Sequence, residues 1–382
     1  MSALPQRAHF ADELRGFALL GIVLVNTPFL AISTSGYTAA SLAAWPDRLV
    51  AFLVVAFAQA KFYLIFSFLF GYSLSFLLSR NDLAQRARYK RRLFGLALLG
   101  SLHAVAAFVG DILVLYALLG TVMLVLVLWS DRRLFAFAGV ALGVWLMLLA
   151  SLALMVLLDS HLPSDDTASA IGQHLDMMLA SGSFFEAAWA RFGFWPEAFV
   201  FIGTVNGLAV LAMFAVGLIA GRHRVFSDPD RYPALWRVGI RSGLWIGLPL
   251  GLLSAALSIG PGTAAGAGGK TELVGVVLNF ASAPFLSYGY IAALARLRQR
   301  FPDSLRVFRP AGRMSLTGYL GESILLSLIF CGYGGALFGQ VGVAVATLIG
   351  IGVWAVLDGF SHLWLKRFEQ GPFEMLLRRM SS

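Results

Sequence analysis

One cysteine, Cys331, occurs in 382 residues, and it lies inside an apolar stretch. An internal disulfide is therefore excluded, and so is a metal cluster built on thiolates. Charge is nearly as scarce. Asp, Glu, Lys and Arg make up 13% of the chain, about half the roughly 25% usual in soluble domains. There are six histidines. Neither they nor the scattered carboxylates recur at a ligand spacing, so no metal site is expected. No internal repeat is visible. The glycine-rich run GPGTAAGAGG at 260–269 lacks the strand and helix context of a phosphate loop and reads as a flexible connector. A cleavable signal peptide is not expected either, because the apolar segment 14–33 is too long for an h-region and lacks a small-residue cleavage site.

What the chain has in abundance is hydrophobic length. Hydrophobic residues are 59% of the total, gathered in ten stretches, and a spanning helix needs about 20 such residues. The expected fold is all-α: a polytopic membrane bundle of about ten transmembrane helices forming a single domain over 1–382. The spans fall near 14–33, 48–79, 93–109, 112–130, 134–158, 197–220, 242–260, 273–295, 314–335 and 341–363, with a long outer loop at 159–196.

Charge distribution orients this threading. With the N-terminus in the cytoplasm, alternation places every Lys and Arg of the 29 on the inner side except Arg48, Lys61, Arg191 and Lys270. The inner segments carry Arg7 and Arg15, the cluster Arg80 to Arg92, Arg132 and Arg133, Arg222 to Arg241, Arg296 to Arg313, and Lys366 to Arg379. This is the asymmetry of the positive-inside rule, and it predicts that both termini are cytoplasmic. The net charge of +9 sits in short loops between spans, where anionic lipid head groups are the natural partners; no nucleic-acid partner is expected. The outer segment is instead acidic, with Asp159, Asp165, Asp166, Asp176 and Glu186.

The second span is the long one. Its 32 residues would reach about 48 Å, so it must tilt, extend beyond the bilayer or break near Gln59 to Lys61. Segment 166–195 has room for one or two short helices on the outer surface. Phe184, Phe185, Trp189, Phe192, Phe194 and Trp195 suit an interfacial belt, or a lid over an outer cavity.

Polar groups inside spans are costly in hydrocarbon and point to protein interior or a wet cavity. Lys61 lies about 20 Å along its helix and His103 about 12 Å from an outer turn at Gly110-Asp111. Glu322 is eight residues into the ninth span. Asp358 and His362 lie near the inner end of the tenth, close enough to water to be hydrated. Asn26, Asn206, Asn279, Tyr116, Ser282 and Tyr319 add uncharged polarity. Asp12 and Arg15, at i and i+3, have the spacing of a local ion pair, and Asn206 and Asn279 suit interhelical hydrogen bonds. His103 is the candidate general base, because imidazole exchanges protons near neutrality; Asp111 is placed to orient it.

Several strings resemble the YeiB-type inner-membrane proteins of bacteria. They are Asp12-Glu13-Leu14-Arg15-Gly16-Phe17 running to Val25-Asn26, then Ala60-Lys61-Phe62 through Leu69-Phe70-Gly71. The turn from His103 through Gly110-Asp111 to Tyr116 and Gly120 matches as well, as do Gly312-Arg313-Met314-Ser315-Leu316-Thr317-Gly318-Tyr319 and Phe368-Glu369-Gln370-Gly371-Pro372 with Glu374. The C-terminal part of that family is a domain of unknown function. More distantly, the first helix resembles that of the membrane acyltransferase superfamily, which includes sugar O-acetyltransferases and the lysosomal heparan N-acetyltransferase. That likeness implies about ten helices and transfer of an acyl group from cytosolic acyl-CoA to an acceptor. Many of those proteins carry an Arg and then, beyond a ten-residue gap, a catalytic His. Arg15 matches the Arg, but Asn26 stands at the His position, and residues 27–60 contain no His.

Two readings follow. In the first, acyl transfer to an outer or lipid-borne acceptor uses His103 as base, with Asp111 and Lys61 as partners. Asp12, Arg15, Asn26, Tyr116, Arg313, Tyr319 and Glu322 would then bind substrate. Acyl-CoA would be a transient donor, its phosphates on Arg15 and the basic inner loops, and no cofactor would be held permanently. In the second, the same groups line the path of a non-enzymatic transporter or carrier of a small or lipid-like molecule.

Overall fold

The computed structural model describes residues 9–78, 82–158, 170–227, 229–260 and 269–381, and helix is the only regular secondary structure among them. The glycine-rich run 261–268, Arg7, Arg80 and the acidic stretch 159–169 lie outside the described residues. Helix α1 spans His9–Ala31, α2 Trp45–Phe57, α3 Phe62–Leu77, α4 Leu83–Ala106, α5 Leu113–Leu126 and α6 Asp131–Leu158. After the short α7, Ala170–Ser181, come α8 Phe184–Arg222, α9 Pro233–Ser242, α10 Leu248–Ile259 and α11 Lys270–Arg300. The chain closes with α12 Arg309–Arg313, α13 Ser315–Phe330, α14 Val343–Trp364 and α15 Pro372–Ser381.

Among the described residues, seven helical segments are long and apolar enough to cross a membrane: α1, α2 with α3, α6, α8, α9 with α10, α11 and α14. The shorter α5 and α13 are also apolar, and α4 couples a strongly basic first half to an apolar second half. All ten expected spans coincide with helix. Large apolar side chains face outward along α6 and α14, among them Phe135, Met147, Leu148, Leu348, Val356 and Leu363. A soluble monomer does not present apolar surface on this scale, whereas hydrocarbon is its natural solvent, and a helix satisfies its own backbone there. The protein is an all-α, polytopic membrane helix bundle.

Helix boundaries depart from the sequence reading in three places. Helix α4 begins at Leu83, ten residues before the expected span. The run Arg86 to Arg92 lowers hydropathy but contains no helix breaker, and Asp82 caps the helix by accepting from Gln85 N at 3.0 Å. Helix α8 begins at Phe184, so the aromatic segment 184–196 continues a long helix and is not a separate surface helix. Ser183 and Glu186 cap its start reciprocally, with Ser183 N donating to Glu186 Oε2 at 2.8 Å, a strong start signal. The seventh span starts at Pro233 and passes through a π-helical turn at Gly243–Gly247. A further amphipathic helix, α15, was read from sequence only as a basic tail.

The long second span is broken. Ala58 N and Gln59 N both donate to Val54 O, Ala60 adopts φ +65°, and the helix restarts at Phe62. A left-handed alanine is uncommon and is held by its surroundings; here those include the Lys61 side chain described below. Close packing elsewhere depends on glycine. On the α3–α8 crossing, a Cβ on Gly71 would overlap the Phe214 carbonyl, and one on Gly217 would overlap that of Phe68. Small residues of this kind let helices approach in a membrane, where apolar burial alone does not drive association. The α1–α12 contact is equally tight: Gly312 lies against the Asp12 carbonyl and Gly16 against that of Phe308. It sets Arg15 and Arg313 at the same end of the bundle.

Candidate functional site

A cavity of about 860 Å³ opens among α1, α3, α4, α5, α13 and α15. Its lining includes Arg15 of α1, Arg92 of α4, Arg224 just beyond α8, Arg298 of α11 and Arg313 of α12. These come from five segments separated widely in the chain, so the basic ends of these helices meet at one end of the bundle. Asp12 and Glu374 are the carboxylates on the wall, and Phe66, Phe70, Leu69 and Leu96 supply apolar surface. At the far end the wall is Ile112, Leu113, Tyr116 and Tyr319.

Local pairing uses up part of the charge. Arg15 donates to Asp12 Oδ1 at 2.6 Å, as the i, i+3 spacing on α1 allows, and to Ser73 Oγ at 2.6 Å. Arg298 Nε lies 2.7 Å from Glu13 Oε2. Glu374 of α15 accepts from Leu316 N at 2.7 Å, from Thr317 N at 3.2 Å and from Thr317 Oγ1 at 2.6 Å. Its carboxylate thus occupies the start of α13, where free N–H groups favour an anion. A Cβ at Gly371 would crowd this same contact. Arg313 donates to the Glu369 carbonyl at 3.0 Å.

Behind Tyr319 lies the most elaborate buried polar cluster. Helix α4 ends one turn beyond His103, the chain turns through Gly110, and Asp111 precedes α5. Asp111 Oδ1 accepts from Leu113 N at 2.8 Å and Val114 N at 3.3 Å, a local side-chain bond typical of Asp before a helix. The other oxygen, Oδ2, lies 2.7 Å from His103 Nδ1 and accepts from Tyr319 OH at 3.3 Å. Tyr319 OH also accepts from Ile112 N at 3.3 Å. His103 and Asp111 are 5% and 1% exposed. When Nδ1 donates to this carboxylate, Nε2 of a neutral imidazole carries the lone pair. Nε2 is buried and, among the described residues, has no hydrogen-bond partner. The arrangement is that of an oriented imidazole base.

The site residues expected from sequence divide into three groups. Asp12, Arg15, Tyr116, Arg313 and Tyr319 line the cavity; Tyr116 donates to the Tyr63 carbonyl at 2.9 Å and meets Ser67 Oγ at 2.7 Å. His103 and Asp111 stand together behind the Tyr319 wall. Lys61, Asn26 and Glu322 do not line the cavity. Lys61 is fully buried and donates to Val55 O at 3.0 Å and Asn279 Oδ1 at 2.9 Å, and Asn279 in turn donates to Val55 O at 2.8 Å. This pairing joins the α2–α3 break to α11 rather than supporting His103. Asn26 is half-buried on α1, and Glu322 is buried with Oε1 unpartnered. Asp358 is buried beside His362, 3.3 Å from its Nδ1. Among the described residues no group of three or more His, Cys, Asp or Glu could hold a metal ion.

Sequence reasoning overlooked three things. Arg92, Arg224 and Arg298 are not singled out from the basic inner segments that hold them, since nothing along the chain tells an inward arginine from an outward one. Glu374 was visible in the C-terminal string but had no assigned role. Arg191, assigned to an outer loop, is 1% exposed and donates to Ala106 O, Ser327 Oγ and Tyr333 OH, each at 3.1 Å, and to Cys331 Sγ at 3.3 Å.

Residues 220–382 match the family model described as a protein of unknown function, DUF418. The chain is 31% identical over 401 residues to the uncharacterized protein YxaH of Bacillus subtilis (strain 168), covering 98% of this chain and 94% of that one. It is 29% identical over 399 residues to the uncharacterized protein YeiB of Escherichia coli (strain K12), covering 97% and 95%. A 39.9 kDa protein from the amylase 3′ region of Bacillus acidopullulyticus is 26% identical over 390 residues. The chain therefore belongs to the YeiB-type family of bacterial proteins, whose C-terminal portion is DUF418.

Proposed function

We propose that this membrane protein is an acyltransferase-type enzyme of the bacterial inner membrane, threaded by ten spans with both termini in the cytoplasm. An acyl thioester such as acyl-CoA enters the arginine-lined cavity from the cytoplasmic side with its apolar chain toward Phe66 and Phe70. An acceptor hydroxyl, on a lipid-borne or outer molecule, attacks the thioester carbonyl. His103 Nε2 takes the acceptor proton as the C–O bond forms. The C–S bond breaks, and the leaving thiolate is released as free thiol after receiving that proton. Asp111 holds the imidazole in the required tautomer and stabilises the imidazolium while it exists. Local movement of the Tyr319 side chain would join the cavity to Nε2.

The observation that carries this reading is the shared Asp111 Oδ2, which contacts both His103 Nδ1 and the cavity-wall hydroxyl of Tyr319. The test uses purified protein with radiolabelled acyl-CoA. His103→Ala should abolish transfer while acyl-CoA binding persists; transfer at the wild-type rate in that variant removes His103 from the mechanism.

A carrier reading draws on a different observation, the interrupted α2–α3 segment with Lys61 buried at the break. Broken helices mark binding sites in many secondary transporters. Substrate flux in proteoliposomes that disappears in Lys61→Ala, with no acyl transfer in the wild type, would favour it over the enzyme.

A further inference from the structure

The arginine end of the cavity carries more positive charge than carboxylates among the described residues pair with directly. Arg15 has Asp12, Arg298 has Glu13, and the Glu374 carboxylate is engaged by the start of α13. Arg92 and Arg224 also line the cavity, yet among the described residues neither guanidinium makes a hydrogen bond or an ion pair. Arg313 faces the same space, and its Nε is buried without a partner. Cations gathered in a concave, low-dielectric site repel one another and focus a positive potential into it. A fold bears that cost where an anion is to be bound.

We infer that Arg92, Arg224 and Arg313 form a phosphate clamp, and that the cavity's ligand is an amphiphile bearing a phosphomonoester or diphosphate. Three features select this chemistry. The groups without a carboxylate partner among the described residues are all guanidinium, whose planar fork matches phosphate oxygens bidentately. Three unmatched cations suit a dianion better than a single carboxylate. The remaining wall is apolar and aromatic, so the anionic head continues into a hydrophobic body. The buried Tyr63 hydroxyl, also on the wall and unpartnered, gives that body one further polar contact. Both a soluble acyl-CoA and a phosphate-headed lipid have this chemistry. The inference deepens the acyl-transfer reading by naming the donor's anchor, but it depends only on the cavity and not on chemistry at His103.

The experiment is equilibrium binding to the full-length protein, with no turnover measured. Inorganic pyrophosphate and CoA are titrated into detergent-solubilised protein at low ionic strength. In parallel, nanodiscs containing phosphatidic acid or only phosphatidylcholine are examined by native mass spectrometry for retained lipid. Arg92→Gln with Arg224→Gln should weaken binding by about 100-fold or more, since each charge-assisted bond lost is worth roughly a factor of ten. The paired Arg→Lys variant, which keeps the charge but loses the fork, should recover part of the loss and shows that the fold is intact. Arg88→Gln, exposed on α4, should bind as wild type. Pyrophosphate and CoA binding assigns a soluble ligand. Phosphatidic acid retention without CoA binding assigns a lipid headgroup and would defeat the acyl-CoA reading while leaving the clamp intact. Absence of all phosphate binding by folded wild type, or binding unchanged in the double Gln variant, overturns the inference.

Discussion

Lys61 and Arg191 are 0% and 1% exposed, and among the described residues neither has a carboxylate within 4 Å. Each is instead surrounded by neutral oxygens fixed by the fold: Val55 O and Asn279 Oδ1 for Lys61, Ala106 O and the hydroxyls of Ser327 and Tyr333 for Arg191. Arg92 and Arg224 differ in both respects, facing a cavity and having no such shell. A buried cation whose donors are engaged behaves as a structural tie, because removing it strands several acceptors at once. A cation with idle donors in a cavity holds nothing together and is available to a ligand. The two regions therefore assign opposite roles to chemically similar side chains.

The sharpest way to break this comparison is Arg191→Leu. It would strand the Ala106 carbonyl and leave the Ser327 and Tyr333 hydroxyls only each other as partners, and a loss of about 3–5 kcal/mol is expected, read as a large fall in thermal unfolding temperature in detergent. Lys61→Met should cost somewhat less, about 2–4 kcal/mol, because Asn279 retains its bond to Val55 O. Wild-type stability in either variant would mean that these cations are not ties. Next comes Glu374→Gln, which keeps an acceptor for the α13 start but removes its charge. It should lower stability by about 0.5–1 kcal/mol while tightening phosphate binding, since one anion leaves the cavity. Weaker phosphate binding in this variant would show that Glu374 positions the ligand rather than opposing it. The smallest effect belongs to Arg92→Gln and Arg224→Gln, each expected within about 0.5 kcal/mol of wild type in stability despite their large effect on ligand. A collapse in stability would place them with Lys61 and Arg191 and end the distinction.

Ionic strength sharpens the same contrast without mutation. Pyrophosphate affinity should fall steeply as salt rises from 50 to 300 mM, because the clamp communicates with solvent. The unfolding temperature should respond far less, since the ties around Lys61 and Arg191 are sealed from counterions.

Much of the architecture was legible along the chain. Each of the ten apolar stretches overlaps helix, whereas α12 and α15 fall in basic segments that hydropathy alone does not mark. The Asp12–Arg15 pair and the proximity of His103 to Asp111 were also readable, because both depend on short separations within one helix or across one turn. Boundaries failed where charge obscured a continuing helix, as at Leu83, or where a capping box began one early, as at Ser183. The partner of Lys61 failed differently. The sequence makes Lys61 a partner of His103, but its bond runs to Asn279, 218 residues away along the chain, and no local pattern announces such a contact.

The sequence by itself determined that the protein is helical and that it inhabits a membrane. Those properties follow from costs borne locally, by each backbone amide in hydrocarbon and each cation that resists crossing it. Tertiary structure alone decided which arginines face inward, that Tyr319 of α13 closes onto an aspartate before α5, and that Lys61 is held by α11. Such choices rest on how helices far apart in the chain settle against one another at close approaches such as Gly16 with Gly312, and packing of that kind leaves no periodic trace in the residues that make it.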